Sequence, residues 1–244
     1  SAVKGILPDK NLLLNDFLKE QFDFPLADYF AVLGPCHAEE VAAEKLSYLT
    51  FSGMDTSMAE RIAALFSNDY INTLVNDDIL GVQYAAILKN VYALGAGIAN
   101  GLDYGDNFLS VLIANAADEM AGFLKKLGAY HIVVGEQESE DPITHRMMPN
   151  YAASVYLGDL LVTCYSLHSR NRRLGGLIGK GYSIEAAKGE MNMVAEGLAA
   201  ANCIHQVNTA RVQAEMPIAD AVYRVCWGMA DPADTFKSLE SQLI

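Results

Sequence analysis

Hydrophobic positions along this chain follow two different rhythms, and the change falls near residue 78. Before it, short apolar runs alternate with short amphipathic ones. Asn11 to Gln21 (NLLLNDFLKEQ) has helical spacing, and Tyr29 to Gly34 (YFAVLG) is a strand-like run stopped by Gly34-Pro35. Ala38 to Lys45 predicts a helix and Leu46 to Ser52 (LSYLTFS) a strand. Asp55 caps a predicted helix through Phe66, and Tyr70 to Val75 (YINTLV) reads as another strand. This rhythm belongs to an α/β sheet domain, of which the later portion is represented. Ser1 to Gly5 reads as the end of a strand running into a loop.

From Asp78 onward the period becomes helical. Ile79 to Leu102 carries one charged residue, Lys89, and Asn107 to Leu127 is a second long helical pattern. Ser183 is placed to cap a helix over Ile184 to Met193, Pro217 opens one over Ile218 to Trp227, and Asp231-Pro232 supplies the cap and first-turn proline for Ala233 to Leu243. Two domains are therefore expected, an α/β part over 1–77 and an all-helical part over 78–244. Tyr130 to Val134 (YHIVV) suggests a small strand or hairpin, and the acidic Glu136 to Asp141 an exposed loop. Ile79–Leu102 is long enough to raise the question of a membrane span. Gln83, Lys89, Asn90, Asn100 and several glycines inside it favour the central helix of a folded core instead.

Composition narrows the function classes. The chain has 244 residues, 52% of them hydrophobic and 19% charged, enough for a sizeable core. A formal net charge of -13 argues against a general nucleic-acid partner, which needs a basic face. Four cysteines (Cys36, Cys164, Cys203, Cys226) are scattered without a C-x-x-C pair, so neither a zinc ribbon nor a disulfide scaffold is indicated. No metal site is expected. Reduced thiols and an opening that does not read as a signal peptide point to a cytoplasmic setting.

Against that acidic background, Asp159 to Arg173 (DLLVTCYSLHSRNRR) concentrates His168, Arg170, Arg172 and Arg173 in one turn. Arginine forks meet phosphate oxygens two at a time, so this turn is expected to form a local anion site. Lys89 is the second candidate. In the middle of an apolar helix, either its stem reaches the surface or its amine is kept for chemistry; the helix alone favours the first. If buried, the amine would lose proton affinity and could act as a base, while a carboxylate such as Asp159 would push the other way.

In series, these residues resemble the NAD(P)-dependent glycerol-3-phosphate dehydrogenase family. The resemblance rests on Lys4-Gly5, Gly34-Pro35 with Ala38-Glu39-Glu40, Leu88-Lys89-Asn90, Gly101 with Gly105-Asp106-Asn107, Gly158-Asp159-Leu160 with Thr163-Cys164, Ser169-Arg170-Asn171-Arg172, Glu196-Gly197 and Glu215-Met216-Pro217-Ile218. It implies the C-terminal part of a Rossmann-like sheet domain followed by a 6-phosphogluconate-dehydrogenase-like helical domain. It also implies hydride transfer between sn-glycerol 3-phosphate and NAD or NADP, supplying glycerol 3-phosphate for phospholipid synthesis. Lys89 would then be the general base, Lys4 would bind substrate beside the cofactor, Asp159 would order the two lysines, and Thr163 would support them. Ser169, Arg170 and Asn171 would hold the substrate phosphate. Gly34 and Cys36 would contact substrate, and Ala38, Arg170, Val194 and Glu196 the cofactor.

Three departures from the family pattern stand out. No G-x-G-x-x-G follows a strand; the nearest run, Gly95 to Asn100, sits inside the apolar helix, where close helix packing is the expected role. The first part of the cofactor domain is therefore expected to be missing, with cofactor binding impaired. Cys36-His37 replaces the usual Ser-Phe; a nucleophile–base pair there is disfavoured because adjacent residues rarely face each other. The segment between Ala129 and Gly158 is longer than in bacterial relatives by on the order of fifteen residues, as for a lid or Ω-type loop, with His131 and His145 read as ordinary loop residues. The competing readings are a related hydroxy-acid dehydrogenase and a non-catalytic phosphate-binding or dimerising helical module. A homodimer is a reasonable expectation from the apolar helices.

Overall fold

The computed structural model describes residues 1–7, 9–129, 139–140, 147–148 and 155–243. Strands β1 (Ala31–Leu33), β2 (Ser47–Ser52) and β3 (Ile71–Asn76) form a sheet in that order, β2 and β3 parallel and β1 antiparallel to β2. Parallel neighbours need a crossover, and it is made by helix α3 (Thr56–Ala64), whose first turn is capped by Asp55 accepting from the Met58 N–H. Ala59 and Ala63 of α3 bury Phe51 of β2 in a small apolar cluster. Helices α1 (Leu14–Phe22) and α2 (Ala38–Ala42) precede and follow β1. The expected opening strand is not formed. Only Ser1 lies along β1, its ammonium donating to Phe30 O at 2.6 Å and its carbonyl accepting from Val32 N at 2.7 Å.

The remaining helices are α4 (Ile79–Gly101), α5 (Asp106–Leu127), α6 (Leu157–Tyr165), α7 (Arg170–Gly179), α8 (Ile184–Gly189), α9 (Gly197–Val207), α10 (Pro217–Cys226) and α11 (Pro232–Glu240). Asp78, Ser169, Ser183 and Asp231 each cap a helix through a side-chain oxygen. α8 stops at Gly189, short of the expected Met193. The second part is not purely helical, because Ser139–Glu140 (β4) pairs antiparallel with Met147–Met148 (β5). Tyr130 to Val134, His131, His145 and, apart from Ser139 and Glu140, the acidic run Glu136 to Asp141 lie outside the described residues.

Helix α4 is the axis of the molecule. It is long and apolar enough to cross a membrane, yet 94% of its apolar window is buried inside the protein. α5, α6, α7, α9 and α10 pack around it, and the main core runs on to Leu13 before α1 and to Ala31 and Leu33 of β1. Its closest neighbour is α7, through glycines on both helices. A Cβ at Gly97 would fall 2.1 Å from the Arg172 carbonyl oxygen, and one at Gly175 would fall 2.1 Å from that of Leu94. Gly101 and Gly179 meet the facing backbone in the same way, at 2.4 and 2.3 Å. Gly97, within the Gly95–Asn100 run, thus serves helix packing, as its place inside α4 suggests. A buried carboxylate secures α10 as well: Glu119 of α5 accepts the N–H groups of Ile218 and Ala219 at 2.8 and 3.0 Å. Burial pushes that carboxyl up to about 7, against the pull of the two backbone donors.

Backbone atoms on α7 cannot retreat as a side chain can. Gly97→Ala is therefore expected to destabilise the protein by about 1–3 kcal/mol by forcing the two helices apart. Urea unfolding of the variant against wild type measures it, and an unchanged midpoint would refute the close-packed crossing.

Candidate active site

The crossing of α4 and α7 sets the start of α7 beside the middle of α4. Lys89 projects from that middle, and it does not snorkel: only 5% of it is exposed. The apolar helix alone favoured an exposed stem, and α6 overturns that expectation by bringing a carboxylate to the amine. Lys89 Nζ donates to Asp159 Oδ1 at 2.5 Å and to Thr163 Oγ1 at 3.2 Å. Thr163 in turn donates to the Asp159 carbonyl one helical turn back. The second Asp159 oxygen accepts from Lys4 Nζ at 3.3 Å, and Lys4 also donates to Gly34 O at 3.1 Å. One buried carboxylate thus bridges two lysines, one from the chain's opening segment and one from α4.

Burial strips water from the Lys89 ammonium and lowers its pKa from 10.5 to about 8, opposed by Asp159 and reinforced by Lys4. Between about pH 8 and 10.5 the unfolded chain would keep a proton that the folded chain has released, so this group adds stability as pH rises through that window.

A cavity of about 450 Å³ opens on this pair, within the size range of small-molecule sites. Lys4, Cys36, Ala38, Lys89, Thr163, Ser169, Arg170, Asn171 and Glu196 all line it. Asp159 and Gly34 stand behind the lining and act on it through the lysines. Ser169 caps α7, Oγ accepting from Arg172 N at 3.3 Å, so the first N–H groups of α7 and the Arg170 fork lie at the same end. Such a helix start favours anions. Asn171 ties three helices: its Nδ2 donates to Asn90 Oδ1 at 3.0 Å and its Oδ1 accepts from Gly197 N at 2.8 Å. Arg170 reaches Glu196 at 3.1 Å across the cavity rim.

One expectation needs correction. The basic turn does not converge on one anion site. Arg170 and His168 line the cavity, but Arg172 donates to Tyr165 O and Arg173 to Glu190 O, and both line a different cleft. Successive residues on a helix point about 100° apart, so a run of basic letters cannot share one target. Val194 is 76% exposed and lines a separate apolar cavity with Met193 and Trp227. Asn90 and Met193 line the site although neither was given a role in it. Asn90 was recognisable as the polar neighbour of Lys89 in an apolar helix; Met193 carries no such mark. Cys36, whose thiol burial pushes its pKa up, lines the cavity with His37 beside it, and no hydrogen bond joins the two.

A small mixed sheet continuous with a helical part, and a buried lysine facing an arginine-headed helix start, put the chain in a structural class that joins a sheet layer to a helical bundle. Within that class the chain belongs to the NAD-dependent glycerol-3-phosphate dehydrogenase family, whose C-terminal family model matches residues 78–237. A glycerol-3-phosphate dehydrogenase (NAD(P)+) of Oceanobacillus iheyensis is 34% identical over 238 residues, covering 98% of this chain and 64% of its own length. One from Bacillus velezensis is 36% identical over 223 residues, covering 91% and 59%. The chain therefore spans only 59–64% of these two relatives. The crystal structure of the Coxiella burnetii glycerol-3-phosphate dehydrogenase superposes with a TM-score of 0.80 at 25% identity, covering 98% of this chain and 67% of that one. A Dunaliella salina structure shares the fold at a TM-score of 0.76 and 20% identity, covering 97% and 39%.

Removing the shared carboxylate isolates a buried cation. Asp159→Ala is expected to cost about 3–5 kcal/mol at pH 7. The loss should shrink above the Lys89 pKa, which itself falls below its present value of about 8 when the carboxylate is gone. Denaturant unfolding at both pH values, with NMR titration of the lysine amine in Asp159→Asn, checks both signs.

Proposed function

We propose that the chain carries the substrate-binding and proton-transferring part of an enzyme that interconverts sn-glycerol 3-phosphate and dihydroxyacetone phosphate. The observation that carries this reading is the meeting of Lys89, Asp159 and Arg170 around one cavity. In this reading residues 1–77 are the end of the dinucleotide-binding domain and residues 78–244 the substrate domain. The product serves phospholipid synthesis in the cytoplasm, a setting that four unpaired cysteines suit.

The substrate phosphate lies against the start of α7, held by Arg170, Ser169, Asn171 and the helix's first N–H groups. That grip fixes the carbinol carbon relative to Lys89, so binding energy from a group remote from the reaction sets the reacting distance. In oxidation the O–H bond breaks as its proton passes to neutral Lys89 Nζ, the C–O bond becomes C=O, and the carbinol hydrogen leaves with its electron pair. A bound nicotinamide supplies the acceptor for that pair. Asp159 and Thr163 hold the amine in line and stabilise the ammonium that forms, and Lys4 donates to the oxygen. In reduction the same ammonium returns the proton. Glu196 and Arg170 at the rim and the polar wall near Ala38 suit the amide-bearing end of NAD or NADP. Val194, on an apolar cavity that shares Met193 with this one, extends the same wall.

A related hydroxy-acid dehydrogenase would need a carboxylate in place of the phosphate. Saturating sn-glycerol 3-phosphate is expected to raise the melting temperature of the chain, and Arg170→Ala to abolish the rise, while a phosphate-free hydroxy acid gives none. The reverse ranking of the two ligands would reject the assignment. In the full-length enzyme, Lys89→Ala should lower kcat by about 10²–10⁴-fold with little change in KM, and Arg170→Ala should chiefly raise KM. Alcohol oxidation should gain rate as pH rises through about 8, and ketone reduction should lose it.

A further inference from the structure

The basic turn holds more charge than the substrate cavity uses. Arg172 and Arg173 face a second cleft of about 300 Å³, between Asn100 at the end of α4 and a different side of α7, where Lys180 joins them. Among the described residues, no carboxylate lines this cleft. None of the three cations has an ion-pair partner among the described residues. That is unexpected in a chain with 30 acidic and 17 basic residues.

Local structure explains one of these charges and not the other two. Lys180 is the C-cap of α7, where a cation complements the helix dipole. Arg172 and Arg173 lie in the first turn of α7, where the dipole disfavours them. Both forks are nonetheless held in place: Arg172 Nη1 donates to Tyr165 O at 2.5 Å and Arg173 Nη2 to Glu190 O at 3.4 Å. A carbonyl oxygen orients a guanidinium without neutralising it, so the remaining N–H donors and the full charge stay available. Leu167, 85% exposed, and Leu177 give the cleft an apolar flank.

We propose that this cleft is a second phosphate site, distinct from the substrate cavity, which takes the phosphate of a soluble ester or of a lipid headgroup. The apolar flank accommodates the organic part of either molecule, and phosphate supplies the charge that the three cations lack.

Calorimetric titration of the chain with inorganic phosphate tests it, beside sedimentation with phosphatidylcholine vesicles with and without phosphatidylglycerol. The double variant Arg173→Gln, Lys180→Gln spares the backbone and the Arg172 tether; Lys180→Gln alone is the fallback if the pair does not fold. For a soluble ligand, phosphate should bind in Arg170→Ala, which lacks the substrate grip, and bind about tenfold or more weakly in the double variant. For a lipid source, vesicles containing phosphatidylglycerol should carry wild type and Arg170→Ala to the pellet and leave the double variant in solution. The proposal is overturned if Arg170→Ala removes all phosphate binding and neither vesicle retains the chain. It is equally overturned if the double variant binds phosphate and vesicles as wild type does.

Discussion

The backbone contact between α4 and α7 is the constraint from which the site follows. Glycines on both helices let them touch carbonyl to Cα, closer than any pair of side chains would permit. The contacts advance together, Arg172 against Gly97 and Gly179 against Gly101, so the two helices run in the same sense. The start of α7 therefore lies beside the part of α4 that precedes Gly97, which is where Lys89 and Asn90 are. A helix start capped by Ser169 and a buried amine are brought to one cavity by packing, and the Asn171–Asn90 hydrogen bond records the register. Looser packing would let the start of α7 drift relative to Lys89.

Electrostatics completes what packing begins. Asp159 is one negative charge shared between Lys4 and Lys89, so the cluster stays net positive whenever both amines are protonated. A buried pair of unit charges would be an inert structural element; the surplus positive charge makes this one receptive. It favours an anion at the cavity. Burial and Lys4 act together on Lys89, and Asp159 opposes both, which leaves its pKa at about 8, close to the pH at which a base must both take and return a proton. Lys4 comes from the opening segment of the chain, so the cluster also pins that segment, by way of Gly34 O, to the helical core.

Much of the fold was readable from local rules. The strands and the long helices followed from periodicity, and the caps at Asp55, Ser183 and Asp231 followed from residue type, because these depend on nearest neighbours along the chain. Ser1 to Gly5 had the composition of a strand but only one residue that finds a partner, and a strand exists by pairing. The same limit applied to chemistry. Lys89 taken with its own helix favoured snorkelling, because the carboxylate that justifies its burial is 70 residues away. The basic letters of the SRNRR run looked like one site because a sequence carries no helical phase until the first residue of the helix is known. Asp159 was raised as a partner for Lys89 from the residues themselves, but its ordering of two lysines was named only through the family resemblance. Glu119 shows the deeper gap: in sequence it is one acid on an amphipathic helix, and only the arrival of α10 makes it a buried cap.

The Arg170–Glu196 contact indicates how the cavity can change hands between its ligands. At 3.1 Å, with side chains 40% and 42% exposed, this is a pair that water already solvates heavily. Such pairs contribute about 0–1 kcal/mol, so parting one costs far less than removing one partner of the buried pair at Asp159. A phosphate dianion at the start of α7 would meet the same guanidinium with two oxygens instead of one, and with helix N–H donors besides. The exchange is favourable for Arg170 and leaves Glu196 free at the rim, where the second reactant must approach. Asp159 and Lys89 have no comparable freedom, because parting them would strand charge in a site almost closed to solvent. The rim is therefore the adjustable part of the cavity and the Lys89–Asp159 pair the fixed part.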